Sequence, residues 1–128
     1  MKLVYPVVLS KDGNFYMASI PDCEIDTQGD NIVDAIEMAR DAIAMWTLCQ
    51  LDANKELPTA SSLKSITVED GDTITLVDVD IEAYRRKHEK RTVRKNCTIP
   101  HWLNEVAERE HINFSKVLQE GLMSQLNI

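Results

Sequence analysis

Aromatic residues are scarce, with two Phe, two Trp and three Tyr in 128 residues. Even so, 44% of the chain is apolar and 27% charged, which excludes wholesale disorder. No apolar run approaches the ~18 residues of a membrane span. The stretch Met1–Pro6 is too short and interrupted for a secretory signal, so a cytoplasmic location without membrane contact is expected. Only three cysteines occur, Cys23, Cys49 and Cys97, and no CxxC pair exists. That removes the basis for a zinc knuckle or a thioredoxin-type redox site, and buried thiols are expected instead. HExxH, GxSxG and a glycine-rich phosphate loop are all missing. The expectation is a non-enzyme with no metal and no cofactor.

Positive charge is missing from most of the chain. Up to Ile81 there are five basic residues against fifteen acidic ones. Between Glu82 and Thr98 the balance reverses, to seven basic against two acidic. Such asymmetry points to two parts with two kinds of partner. The length suits one domain, or a small domain plus an appendage.

Hydrophobic spacing divides the chain in the same way. Leu3, Tyr5, Val7 and Leu9 alternate as in a strand, and Pro6 within it points to an edge or bulge. Asp12-Gly13 makes a hairpin turn into a second strand, Phe15 to Ile20. Pro21-Asp22 turns the chain into a third, Glu24 to Gln28. Asp30 or Asn31 caps a helix whose stripe is Ile32, Ala35, Ile36, Ala39, Ala42, Ile43, Trp46 and Cys49. Asn54 to Leu63 is a loop, Ser65 to Val68 a short extended piece, and Thr73 to Ile81 a fourth strand. The order β-β-β-α-β defines a small antiparallel sheet covered by one helix, an α+β fold, over residues 1–81. Residues 82–91 form a charged connector without apolar periodicity beyond Tyr84. It reads as a solvated linker or as a phosphate contact.

Residues 92–128 form a second unit. Thr92 to Ile99 alternates imperfectly, with Val93, Cys97 and Ile99 on one face and Arg94, Asn96 and Thr98 on the other. Pro100 opens a helix with the stripe Leu103, Val106 and Ala107. Asn113 caps a second helix whose apolar face is Val117, Leu118, Gly121, Leu122 and Leu126. A strand and two helices of this size cannot enclose a core, and a lone strand leaves its backbone groups unpaired. Two copies pairing antiparallel meet both needs, so a homodimer or higher even oligomer is expected. The resulting two-stranded ribbon fits a DNA major groove, with Arg94, Asn96 and Thr98 as base readers. Asn113, Phe114, Ser115 and Lys116 would hold a phosphate at the helix N-terminus.

The run Val93-Arg94-Lys95-Asn96-Cys97-Thr98-Ile99-Pro100, followed by Leu103, Ala107 and Ile112-Asn113-Phe114-Ser115-Lys116-Val117-Leu118, resembles the ribbon-helix-helix repressors. That family often has glycine where His111 stands, and an inward apolar residue where Lys95 stands. Phe15-Tyr16-Met17-Ala18-Ser19-Ile20-Pro21-Asp22-Cys23, then Thr27-Gln28-Gly29-Asp30 and Ile32-Val33-Asp34-Ala35-Ile36, resembles the HicB antitoxins. Asp22 replaces a common glycine of that family, and Asp34 a common glutamate. The resemblance implies a partial RNase H-like sheet domain, usually inactive. It also implies an antitoxin that blocks a HicA-like mRNA interferase toxin, a small basic ribonuclease, and binds operator DNA to repress its own operon. The acidic N-terminal part suits a basic protein. The toxin-contacting residues are not readable.

Two other readings compete. One is a stand-alone ribbon-helix-helix repressor with a ligand- or protein-sensing N-terminal domain. The other is a magnesium nuclease using Asp12, Asp22, Asp26, Asp30 and Asp34, but turns and helix caps account for most of these.

Overall fold

The computed structural model describes all residues, Met1–Ile128, and divides them into two compact units, Met1–Arg91 and Thr92–Ile128. The first contains strands β1 (Lys2–Asp12), β2 (Phe15–Ile20), β3 (Ile25–Gly29) and β4 (Thr73–Asp80), with helices α1 (Ile32–Asp52) and α2 (Ile81–His88). The second contains helices α3 (His101–Arg109) and α4 (Phe114–Leu126).

The four strands form one antiparallel sheet in the order β3-β2-β1-β4. The alternation of β1 decides which face is buried. Tyr5, Val7 and Leu9 lie in the core beside Ala18, Ile20, Val77 and Val79. Pro6 does not mark an edge strand, because β1 has β4 on one side and β2 on the other. However, β2 pairs only from Val8 onward, whereas β4 runs alongside from Lys2. Pro6 therefore sits where β1 has a single neighbour, as a residue without an amide donor requires.

Helix α1 covers that face with Ala35, Ala39, Ile43 and Thr47, a four-residue step, and with Ala44. The expected stripe is turned slightly. Ile32 and Cys49 are exposed, and Thr47 is buried instead. Asn31 caps α1 by accepting from the Asp34 amide at 2.8 Å, and Asp34 accepts from the Asp30 amide at 2.9 Å. Of the three thiols expected to be buried, only Cys23 is. Burial, reinforced by Asp22, pushes it up to about 11, so it remains a neutral apolar side chain at physiological pH.

From α1 the chain crosses a long loop to reach β4. The Tyr5 hydroxyl donates to the Pro58 carbonyl at 2.7 Å, and the Ser61 amide donates to Asp22 at 2.9 Å. These bonds tie the loop to β1 and to the turn after β2. The extended piece expected at Ser65–Val68 does not form, and a short 3-10 turn, Leu63–Ser65, stands at its start.

The charged connector expected over 82–91 is instead helical for most of its length, and it belongs to the first unit. Ile81 is buried, and its amide donates to the Met1 carbonyl at 3.0 Å. Tyr84 packs against the core. Asp80 caps α2 by accepting from the Ala83 amide at 3.1 Å. That bond, with Lys2, the chain N-terminus and Arg86 nearby, holds the Asp80 carboxyl below its ordinary value. The cap is thus formed above the usual carboxylate range and is lost as pH falls through the depressed value.

Gly29 ends β3 against the first turn of α1. A Cβ there would lie 2.3 Å from the Ala35 nitrogen and 2.6 Å from the Asp34 carbonyl carbon, both backbone atoms. Gly29→Ala is expected to push the helix off the sheet and cost about 1–3 kcal/mol, as overpacking does. Urea unfolding would show this as a lower midpoint, and an unchanged midpoint would contradict the close approach.

Candidate functional site

The Thr92–Ile128 unit has no core of its own. None of its residues is buried, and α3 and α4 bury no side chain. Large apolar side chains are exposed throughout it, among them Val93 at 81%, Trp102 at 66%, Leu122 at 52% and Leu126 at 64%. The stripes expected on both helices are present, but nothing in the chain covers them. Patches of this kind mark a surface that meets another molecule.

The two helices are joined tightly. His111 adopts φ +53, the left-handed position that usually takes glycine. Its amide donates to the Glu108 carbonyl, and the Ile112 amide to the Ala107 carbonyl. These two bonds close the C-terminus of α3 in a Schellman motif. The Asn113 side chain then accepts from the Lys116 amide at 3.1 Å and caps α4. The sequence therefore stops one helix and starts the next within four residues.

Residues 92–100 have no regular secondary structure. A strand exists only through a ladder partner, and the single chain offers none here. Arg94, Asn96 and Thr98 are all exposed. Arg94 and Asn96 line a cleft against α4 with Ser115, Leu118 and Leu122, and Thr98 is outside its lining. Cys97 and Ile99 line a second cleft with Phe114 and Val117, and Lys95 borders both. Of the four residues expected to hold phosphate, Asn113 already uses its side chain to bind the Lys116 amide. The amides of Phe114 and Ser115, in the first turn, have no partner within the helix. Lys116 adds a cation beside them.

The first unit presents a different surface. On α1, Glu37, Asp41 and Asp52 are exposed, and Asp34 is partly so. The only cation of this helix, Arg40, turns to the sheet edge, where its Nε donates to the Asp78 carbonyl at 3.0 Å. Glu37 and Asp41 thus have no free cation on their own helix, whereas Asp52 lines a cleft with Arg85 and Arg91. Sequence reasoning had not singled out this helix face. The signal available was four carboxylates against one arginine over 21 residues. Of the five aspartates weighed as metal ligands, Asp22 holds the loop through Ser61 and Asp34 holds the start of α1.

The fold therefore defines a class, an acidic sheet-and-helix domain followed by a two-helix unit whose apolar surface is exposed. Residues 5–121 match the HicB-like antitoxins of bacterial toxin–antitoxin systems, and the chain belongs to that family. Among solved structures it is similar to a toxin–antitoxin complex from Streptococcus pneumoniae, with TM-score 0.64 and 22% identity, over 98% of this chain and 99% of that one. It is also similar to the antitoxin HicB of Burkholderia pseudomallei, with TM-score 0.55 and 23% identity, over 98% and 97% of the two chains. No curated protein matches it. No helix is long and apolar enough to cross a membrane.

If the bare faces of α3 and α4 meet a second copy, Leu122→Asp places an unpaired charge at that contact. Sedimentation at micromolar concentration should then show monomer for the variant and dimer or larger for the parent. A variant that stays dimeric would move the contact elsewhere.

Proposed function

We propose that this protein is the antitoxin of a HicA/HicB-type pair. It binds and inhibits a small, basic HicA-like mRNA interferase through Met1–Arg91. It represses its own operon by binding operator DNA through Thr92–Ile128. The observation that carries this reading is the family match, which runs from β1 into α4 and so spans both units.

Neutralisation on this reading is occlusion by binding, without catalysis. The Met1–Arg91 unit carries seventeen acidic residues against ten basic ones, and Glu37, Asp41 and Asp52 of α1 are exposed among them. Complementary charge speeds encounter with a basic partner and fixes its orientation. DNA binding follows from the shortage in the second unit. Two copies of Thr92–Ile99 pair antiparallel and satisfy each other's backbone, and the helices of both chains cover the apolar faces. In that ribbon Arg94 is suited to guanine, Asn96 to adenine and Thr98 to a thymine methyl or a base acceptor. The free amides of Phe114 and Ser115, with Lys116, take a backbone phosphate.

Two tests separate the halves of this reading. A fragment ending at Arg91 should still co-purify with the basic protein encoded by the neighbouring small reading frame, but should show no preference for operator over scrambled DNA. The end point matters, because Ile81 and Tyr84 belong to the first core. If the full chain shifts its upstream DNA yet captures no such protein, a stand-alone repressor with a sensing domain is the better reading. Arg94→Ala should lower the preference for operator over scrambled DNA by about 1–3 kcal/mol if the arginine pairs with a base. An unchanged preference in binding titrations would count against readout by the ribbon.

A further inference from the structure

The densest positive charge of this chain lies outside the unit read as DNA-binding. In Thr92–Ile128 the cations Arg94, Lys95, Arg109 and Lys116 are matched by Glu105, Glu108, Glu110 and Glu120. The dense basic run is Arg85–Arg91, with five cations in seven residues. It belongs to the sheet domain, on α2 and the three residues that lead directly into Thr92. Affinity for DNA comes largely from neutralising phosphates and releasing their counterions. A unit with balanced charge is poorly equipped for that task.

The structure shows how the run is displayed. Ile81 and Tyr84 seat α2 on the core, the rings of Tyr84 and His88 lie 4.2 Å apart, and Asp80 caps the first turn. The helix is thus a fixed element. Arg85 and Arg91 both turn to Glu89. Arg86, Lys87 and Lys90 are exposed and make no ion pair. A favourable interaction with the C-terminal end of the helix dipole accounts for cations in the last turn. It does not account for Lys90 beyond the helix end.

We propose that Arg86, Lys87 and Lys90 form a sequence-independent phosphate-binding surface for DNA, so that the sheet domain contributes to holding the operator. The inference rests on the DNA-binding reading above. Its test is the salt dependence of binding by the full chain, measured by fluorescence anisotropy on the upstream duplex and on a scrambled one. The triple variant R86Q/K87Q/K90Q should bind both duplexes more weakly and by the same factor. Its plot of log affinity against log salt should be shallower by about 2–3 per chain bound, the expectation for three lost phosphate contacts. The charge-keeping variant K87R/K90R should retain the parental slope. A parental slope in the triple variant, with Arg94→Ala still weakening operator binding, overturns this surface and leaves the ribbon reading intact. Loss of neighbour-protein capture with the slope unchanged would assign the three residues to the protein partner and likewise overturn it. A parent that binds neither duplex removes both readings at once.

Discussion

The pairing of β4 with β1 organises the first unit. β1 is the strand with two neighbours, and β4 runs beside it from Lys2↔Asp80 to Leu9↔Thr73. That register brings Val77 and Val79 onto the face already made by Tyr5, Val7 and Leu9. It also delivers Ile81 to the bottom of the core, where its amide meets the Met1 carbonyl. Helix α2 can start only there, with Asp80 as its cap. The basic run is therefore carried by a helix whose position depends on a strand pairing at the opposite end of the sequence. Helix α1 completes the layer, and Gly29 lets it approach closely enough to do so.

The second unit has the opposite problem. Its turn chemistry is local, since the His111 turn closes α3 and the Asn113 side chain caps α4. What it lacks is area. Two short helices cannot bury Leu103, Val106, Val117, Leu118, Leu122 and Leu126 against each other, and all are exposed. The segment before them, residues 92–100, has no regular secondary structure. The proposed second copy would meet both deficits at once, supplying a strand and an apolar surface together.

Charge and fold divide the chain at different places. The sign of the charge turns near Ile81, but the compact units part between Arg91 and Thr92. The acidic domain thus ends in a basic helix, and α1 and α2 offer surfaces of opposite sign on one folded body. The proposed binding of a basic protein and of operator DNA would use one surface each.

Much of this was legible from the residues. The alternation of β1, the turn at Gly13, the extent of α1 and the caps at Asn31 and Asn113 follow from local periodicity and capping chemistry, which need no distant partner. The proposed base readers Arg94, Asn96 and Thr98 rest on an alternation whose strand does not form in the single chain. Helix α2 was not legible, because only Ile81 and Tyr84 anchor it and two apolar residues make no periodic stripe. The exposure of Cys49 and the burial of Thr47 depended on how α1 rotated onto the sheet. Pro6 points to an edge or a bulge in the sequence, which shows a missing donor but not the number of neighbours. By itself, then, the sequence determined the order of elements, their caps and the two-part division of charge, since these are properties of adjacent residues. Only the tertiary structure decided that the basic run belongs to the acidic domain, because burial of Ile81 and Tyr84 against β1 and α1 sets where that domain ends.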